Sequence, residues 1–148
     1  MLKKRLHELE DSEVVVLGDL NENYNEYQLV HKSYNTALMY NNQGDGITIT
    51  DGTISSSSEL YTVWPGSKYP GSYKYHDSWE TIDHFLLNSK LMDSSGFSFA
   101  DFIVDSRQIL INNNDGVNRW ITDLETGYSD HLPVILHLAV QQSQTSLE

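Results

Sequence analysis

Val14-Val15-Val16-Leu17-Gly18-Asp19-Leu20-Asn21 is the stretch on which the reading of this chain turns. Four apolar residues in succession, three of them β-branched, predict a strand buried on both faces. The run stops at Gly18 and at once presents two polar side chains, Asp19 and Asn21. In open α/β sheets ligands bind beyond the carboxyl ends of strands, which is where these two would stand. Two residues apart in extended chain, they point to the same side.

Two later stretches have the same character. Trp79-Glu80-Thr81-Ile82-Asp83-His84 opens a strand predicted over Ile82 to Leu87, and Ser129-Asp130-His131-Leu132-Pro133 precedes a strand predicted over Val134 to Val140. Asp83 shares a side with Phe85 and Leu87, at the rim of a buried face. A carboxylate there needs a partner, and His131 is the natural one. His84 points to the other side and is read as structural or partly exposed.

The ordered trio Gly18-Asp19-Leu20-Asn21, Ile82-Asp83-His84 and Ser129-Asp130-His131-Leu132-Pro133 resembles the endonuclease/exonuclease/phosphatase superfamily, the DNase I-like metal-dependent phosphoesterases. The resemblance runs from about Val14 to about Val140 but covers only the C-terminal half of such a domain. The family's first half supplies an Asn and a metal-binding Glu that have no counterpart here. The implied fold is α/β (α+β): half of a DNase I-like β-sandwich, with one mixed β-sheet and helices packed on one face. Residues 1–148 form that half-domain, with 141–148 expected as a disordered tail and cloning remnant.

The same resemblance implies a magnesium- or manganese-dependent phosphodiesterase or phosphatase. Asp19, Asn21, Asp83 and His131 would be catalytic and Asp130 would touch the metal. His131 would act as base or phosphate donor with Asp83 fixing its tautomer, and Asp19 would activate water or protonate the leaving group. The family's G-(S/T)-Y-x-Y segment, here Gly71 to Tyr75, lies beside the site, so Tyr73, Tyr75 and Trp79 are candidates to line a substrate cleft. Arg119 is a candidate phosphate contact. The half-domain by itself is expected to have little activity and to bind no metal firmly. The alternatives are a non-catalytic binding scaffold of the same fold and a nuclease.

Composition sets the outer limits. The 148 residues fit one domain able to bury a sizeable core, and 39% hydrophobic with 11% aromatic content is that of a folded chain. The net charge of −12 favours a small-molecule or lipid-headgroup phosphoester over nucleic acid, since phosphate backbones need clustered Lys and Arg. No apolar run is long enough to span a membrane, and the basic start Met1 to Leu6 lacks the apolar core of a signal peptide. Localisation is left open, including a secreted or periplasmic parent. The absence of cysteine excludes disulfides and thiolate metal sites.

Between the motifs, Leu2, Leu6 and Leu9 predict a short packing helix. Asn25 predicts an N-cap for a helix over Tyr27 to Tyr40. Ile47 to Thr50 reads as a short strand or extended loop, and Phe97 to Val104 as a strand. Half a sandwich would leave one sheet face bare, so a second copy of the chain about a twofold axis, or the N-terminal half, is expected to cover it.

Overall fold

The computed structural model describes residues 2–26, 37–39, 47–112 and 116–140. It is mostly β-sheet with few helices. Among the described residues there is one α-helix, α1 (Leu2–Glu8), and three 3-10 turns at Trp64–Gly66, Ser89–Leu91 and Thr122–Leu124. No helix among them is long and apolar enough to cross a membrane.

The centre is a five-stranded mixed sheet of β1 (Val15–Asp19), β2 (Leu38–Met39), β3 (Ile47–Thr50), β4 (Glu59–Thr62) and the later strand Asp83–Leu87, which becomes β7. Its spatial order is β1-β7-β4-β3-β2. β7 runs antiparallel to both β1 and β4, while β4, β3 and β2 are mutually parallel. Two antiparallel ribbons complete the structure: β5 (Tyr73–Tyr75) with β6 (Ser78–Glu80), and β8 (Phe97–Val104) with β9 (Val134–Val140). The expectation of a single sheet is therefore replaced by one sheet and two ribbons.

Strand alternation explains how the sheet buries both faces. Leu86 turns one way, into a cluster with Leu6 of α1, Leu38, Ile47, Ile49 and Leu60, against which Val14, Val16 and Leu20 pack. Leu87 turns the other way, into a cluster with Val63, Trp64, Leu91, Phe102, Val104, Val117 and Leu132. Phe102 meets Trp64 edge-on with ring centres 5.0 Å apart, and Phe85 at 6.2 Å. The β8–β9 ribbon thus covers the second face. Each fully buried leucine here contributes about 1.5–3 kcal/mol relative to exposure.

Several expectations change. β1 is outermost in the described sheet, and it is not buried on both faces as expected: Leu17 is 67% exposed. Four apolar residues in a row suggested burial on both sides, yet an edge position leaves the outer part of the strand in solvent. Leu38–Met39, inside the segment expected as helix, is β2, parallel to β3. The rest of that segment, residues 27–36 and 40, lies outside the described residues, as does the tail 141–148. Among the described residues, exposed apolar side chains on the β8–β9 ribbon include Phe97, Ile103, Ile135, Leu138 and Val140.

Candidate functional site

The ladder between β1 and β7 brings two acids together. Asp19 ends β1, Asp83 begins β7, and the two are direct cross-strand partners. Both therefore stand at the same corner of the sheet. Just past β1, the Leu20 amide bonds the Ile82 carbonyl at 2.9 Å, and Asn21 then turns to φ 56°. The Asn21 amide donates to Asp19 Oδ1 at 2.8 Å. This is an Asx turn, the local bond that lets Asp and Asn interrupt a strand. The expectation that Asp19 and Asn21 share a side through extended chain fails for that reason. Asn21 is exposed and joins the corner through its backbone amide.

The third member arrives from far along the chain. Tyr73 of β5 forms an isolated antiparallel bridge with His131, and the Leu132 amide donates to the Ser72 carbonyl at 2.7 Å. This docks the Ser129–Pro133 segment beside Asp83. His131 Nδ1 lies 2.7 Å from Asp83 Oδ2. A carboxylate only accepts, so Nδ1 is the donor in this bond, and whenever the ring is neutral Nε2 is the acceptor. The two side chains are 27% and 18% exposed, enough cover to limit screening while leaving the ring reachable. The Tyr73 ring lies against the imidazole, centres 4.7 Å apart. Trp64 Nε1–H holds the Asp83 carbonyl at 2.9 Å, tying the corner to the core.

One ligand atom from each of Asp19, Asp83 and His131 lies within 4.8 Å of the others. The two carboxylates suit a hard divalent cation, with bonds of about 2.0–2.6 Å; His131, whose Nδ1–H is committed to Asp83, could join such a site only through Nε2. Among the described residues this is the sole such group of His, Asp and Glu. Asp130 is exposed and lies outside it.

The remaining candidates separate. Tyr75 stacks on Tyr73 at 6.5 Å and 19°, extending the aromatic surface next to His131, and is 55% exposed. Trp79 lies on the opposite side of the ribbon, paired with Lys74, and packs edge-on against Tyr69 at 5.1 Å. Arg119 lines a separate polar cavity of about 310 Å³ with Lys74, His76, Asp77 and Asn112.

Behind the corner sit two buried polar groups. His84 is 1% exposed, which corrects the partly exposed alternative, and its Nε2 bonds the Glu22 carbonyl at 2.8 Å. Burial pulls its pKa below the ordinary imidazole value, against the opposing pull of that bond and of Asp83 and Asp19. Glu22 Oε2 accepts the Ala37 and Leu38 amides at 2.6 and 3.3 Å, and burial pushes its carboxyl up. Glu22 thereby pins β2. Comparison with family models, curated proteins and solved structures finds no match.

Sequence reading missed Ser72. It is fully buried, and its Oγ–H donates to Asp83 Oδ2 at 2.5 Å. Its place in the Gly71–Tyr75 segment is a signal, but that segment is read for its tyrosines.

Proposed function

We propose that this chain carries the C-terminal half of a DNase I-like sandwich and, with it, part of the active site of a metal-dependent phosphoester hydrolase. The observation that supports this most is the Asp83–His131 bond beside Asp19 at one sheet corner.

Each side chain has a role in that reading. Asp83 accepts the Nδ1 proton and fixes the ring, so Nε2 can take a proton from an attacking water or, once protonated, donate to a phosphoryl oxygen. Asp19 keeps Oδ1 on the Asn21 amide, which leaves Oδ2 for a cation or a water. Asn21 is uncharged and can donate to a phosphoryl oxygen without adding repulsion. A bound magnesium or manganese ion would neutralise phosphoryl charge and acidify water. Asp19, with Asp83 and His131 around it, is the natural holder; Asp130 is a second ligand by family resemblance. The flat faces of Tyr73 and Tyr75 would receive an apolar or cyclic part of the substrate. With a net charge of −12, small-molecule or headgroup phosphoesters fit better than nucleic acid. A second copy, or the N-terminal half, would cover the bare β8–β9 ribbon.

Titration of Mn2+ and inorganic phosphate into the chain, followed by NMR, tests the binding half of this proposal: His131 ring signals and the Asp19 and Asp83 carboxyl carbons should respond together. Hydrolysis of bis-p-nitrophenyl phosphate by the complete domain tests the chemistry. Unchanged turnover in both Asp19→Ala and His131→Ala would sink it.

A further inference from the structure

We propose that Ser72 is the positioning residue of the Asp83–His131 pair. For its catalytic consequence this rests on the hydrolase reading above; for its structural content it does not.

Asp83 Oδ2 takes two donors at once, Ser72 Oγ–H at 2.5 Å and His131 Nδ1–H at 2.7 Å. Hydrogen bonds to an ionised carboxylate are shorter and stronger than neutral ones, and two on one oxygen fix its plane. With Ser72 in place the carboxylate cannot rotate about its Cβ–Cγ bond without breaking both. Ser72 is 0% exposed, so bulk water does not compete for its hydroxyl.

Ser72 is itself held on both sides of its backbone. Its amide donates to the Glu80 carbonyl at 2.9 Å, and its carbonyl accepts the Leu132 amide at 2.7 Å. It therefore clamps together the ribbon β5–β6, the first residue of β7 and the segment that delivers His131. The residue before it, Gly71, supplies the room: a Cβ there would lie 2.8 Å from the Glu80 nitrogen, nearer than side chains approach backbone. A side chain at 71 would push Ser72 off Glu80 and, with it, off Asp83. One hydroxyl thus couples the imidazole's orientation to the packing of the ribbon.

The test uses two readouts. In the chain itself, the downfield Nδ1 proton resonance of His131 reports the bond to Asp83. It should be present in wild type, lost or broadened by exchange in Ser72→Ala, and restored in Ser72→Thr, which keeps the hydroxyl. Amide shifts away from the corner serve as the folding control. In the complete domain, with Mg2+ and bis-p-nitrophenyl phosphate, Ser72→Ala should lower kcat about 10–100-fold, the range for groups that orient a site residue, with KM held within about twofold. In an Asp83→Asn background Ser72→Ala should add nothing. A sharp, unshifted Nδ1 proton in Ser72→Ala overturns the proposal whether or not the protein hydrolyses phosphoesters. Loss of turnover in His131→Ala without loss in Ser72→Ala overturns its catalytic part. Loss of the resonance in a protein that hydrolyses nothing would leave the positioning role standing and remove the hydrolase reading instead.

Discussion

Asp19 and Asp83 face each other as a direct cross-strand pair in the β1–β7 ladder. Like charges so placed repel, by roughly 0.2–1 kcal/mol in typical pairs. Such a pair invites a cation. Asp19→Asn is expected to raise the metal-free melting temperature slightly, and any rise in melting temperature that millimolar Mg2+ produces in the wild type should be absent from this variant. Differential scanning calorimetry with Mg2+ and with EDTA checks both signs. A variant that melts lower than wild type without metal would show that the pair is already neutralised by other means.

In the proposed metal site, Asp19 and Asp130 are the two candidates for principal ligand. The geometry favours Asp19, which sits within 4.8 Å of its two partners. Asp19→Asn should weaken Mn2+ binding by more than tenfold, and Asp130→Asn by clearly less. Isothermal titration gives both constants; the reverse ranking would restore Asp130 to the place that family resemblance assigns it.

On the proposed hydrolase reading, His131→Ala should cost ~10²–10⁴ in kcat, the usual effect of losing a placed acid–base group. Asp83→Asn should cost a similar factor, because an amide can present its NH2 to Nδ1 and favour the wrong tautomer. Steady-state kinetics on bis-p-nitrophenyl phosphate decide it, and losses that multiply in the double variant would argue against a single unit.

His84 gives a pH dependence with a definite sign. Its folded pKa is depressed by burial, while the unfolded chain regains an ordinary value near 6.5. The unfolded state therefore binds a proton that the folded state resists. Stability from this residue is complete above about pH 6.5 and is lost as pH falls through that value toward the folded pKa, at up to about 1.4 kcal/mol per pH unit. Urea unfolding of wild type and His84→Gln between pH 5 and 7.5 should show a shallower slope in the variant. Parallel slopes would mean that the buried imidazole takes up its proton in the folded chain.

Gly71→Ala should destabilise by about 1–3 kcal/mol, as overpacked positions do, because the new Cβ meets the Glu80 backbone. Thermal melting reads the loss, and an unchanged midpoint would show that the ribbon can yield.

Much of this was legible in the residues. The strands at Val15, Asp83, Phe97 and Val134 announce themselves by apolar runs and alternation, and the Asp83–His131 pairing follows from a carboxylate at a buried rim. What was hidden has physical causes. Ala37-Leu38-Met39 favour helix by intrinsic propensity, yet the buried Glu22 carboxylate takes the Ala37 and Leu38 amides and β3 takes the strand. Val14 to Leu17 is apolar enough for a central strand, but a strand's lateral neighbours are not written in its own composition. Trp79 looked like a cleft residue because its side of the ribbon depends on register with Lys74, which only pairing reveals.

The outermost place of β1 has a price of its own. Asp19 rides on an outermost strand, paired on one side only, whereas Asp83 begins β7, which is paired on both sides. Local opening of that strand would disassemble the trio without unfolding the protein, and apparent affinity would scale with the fraction of molecules in which it is zipped down. Any ligand that bridges the two acids should then slow amide hydrogen exchange from Val15 to Asp19 first, acting as a fastener for the margin of the sheet.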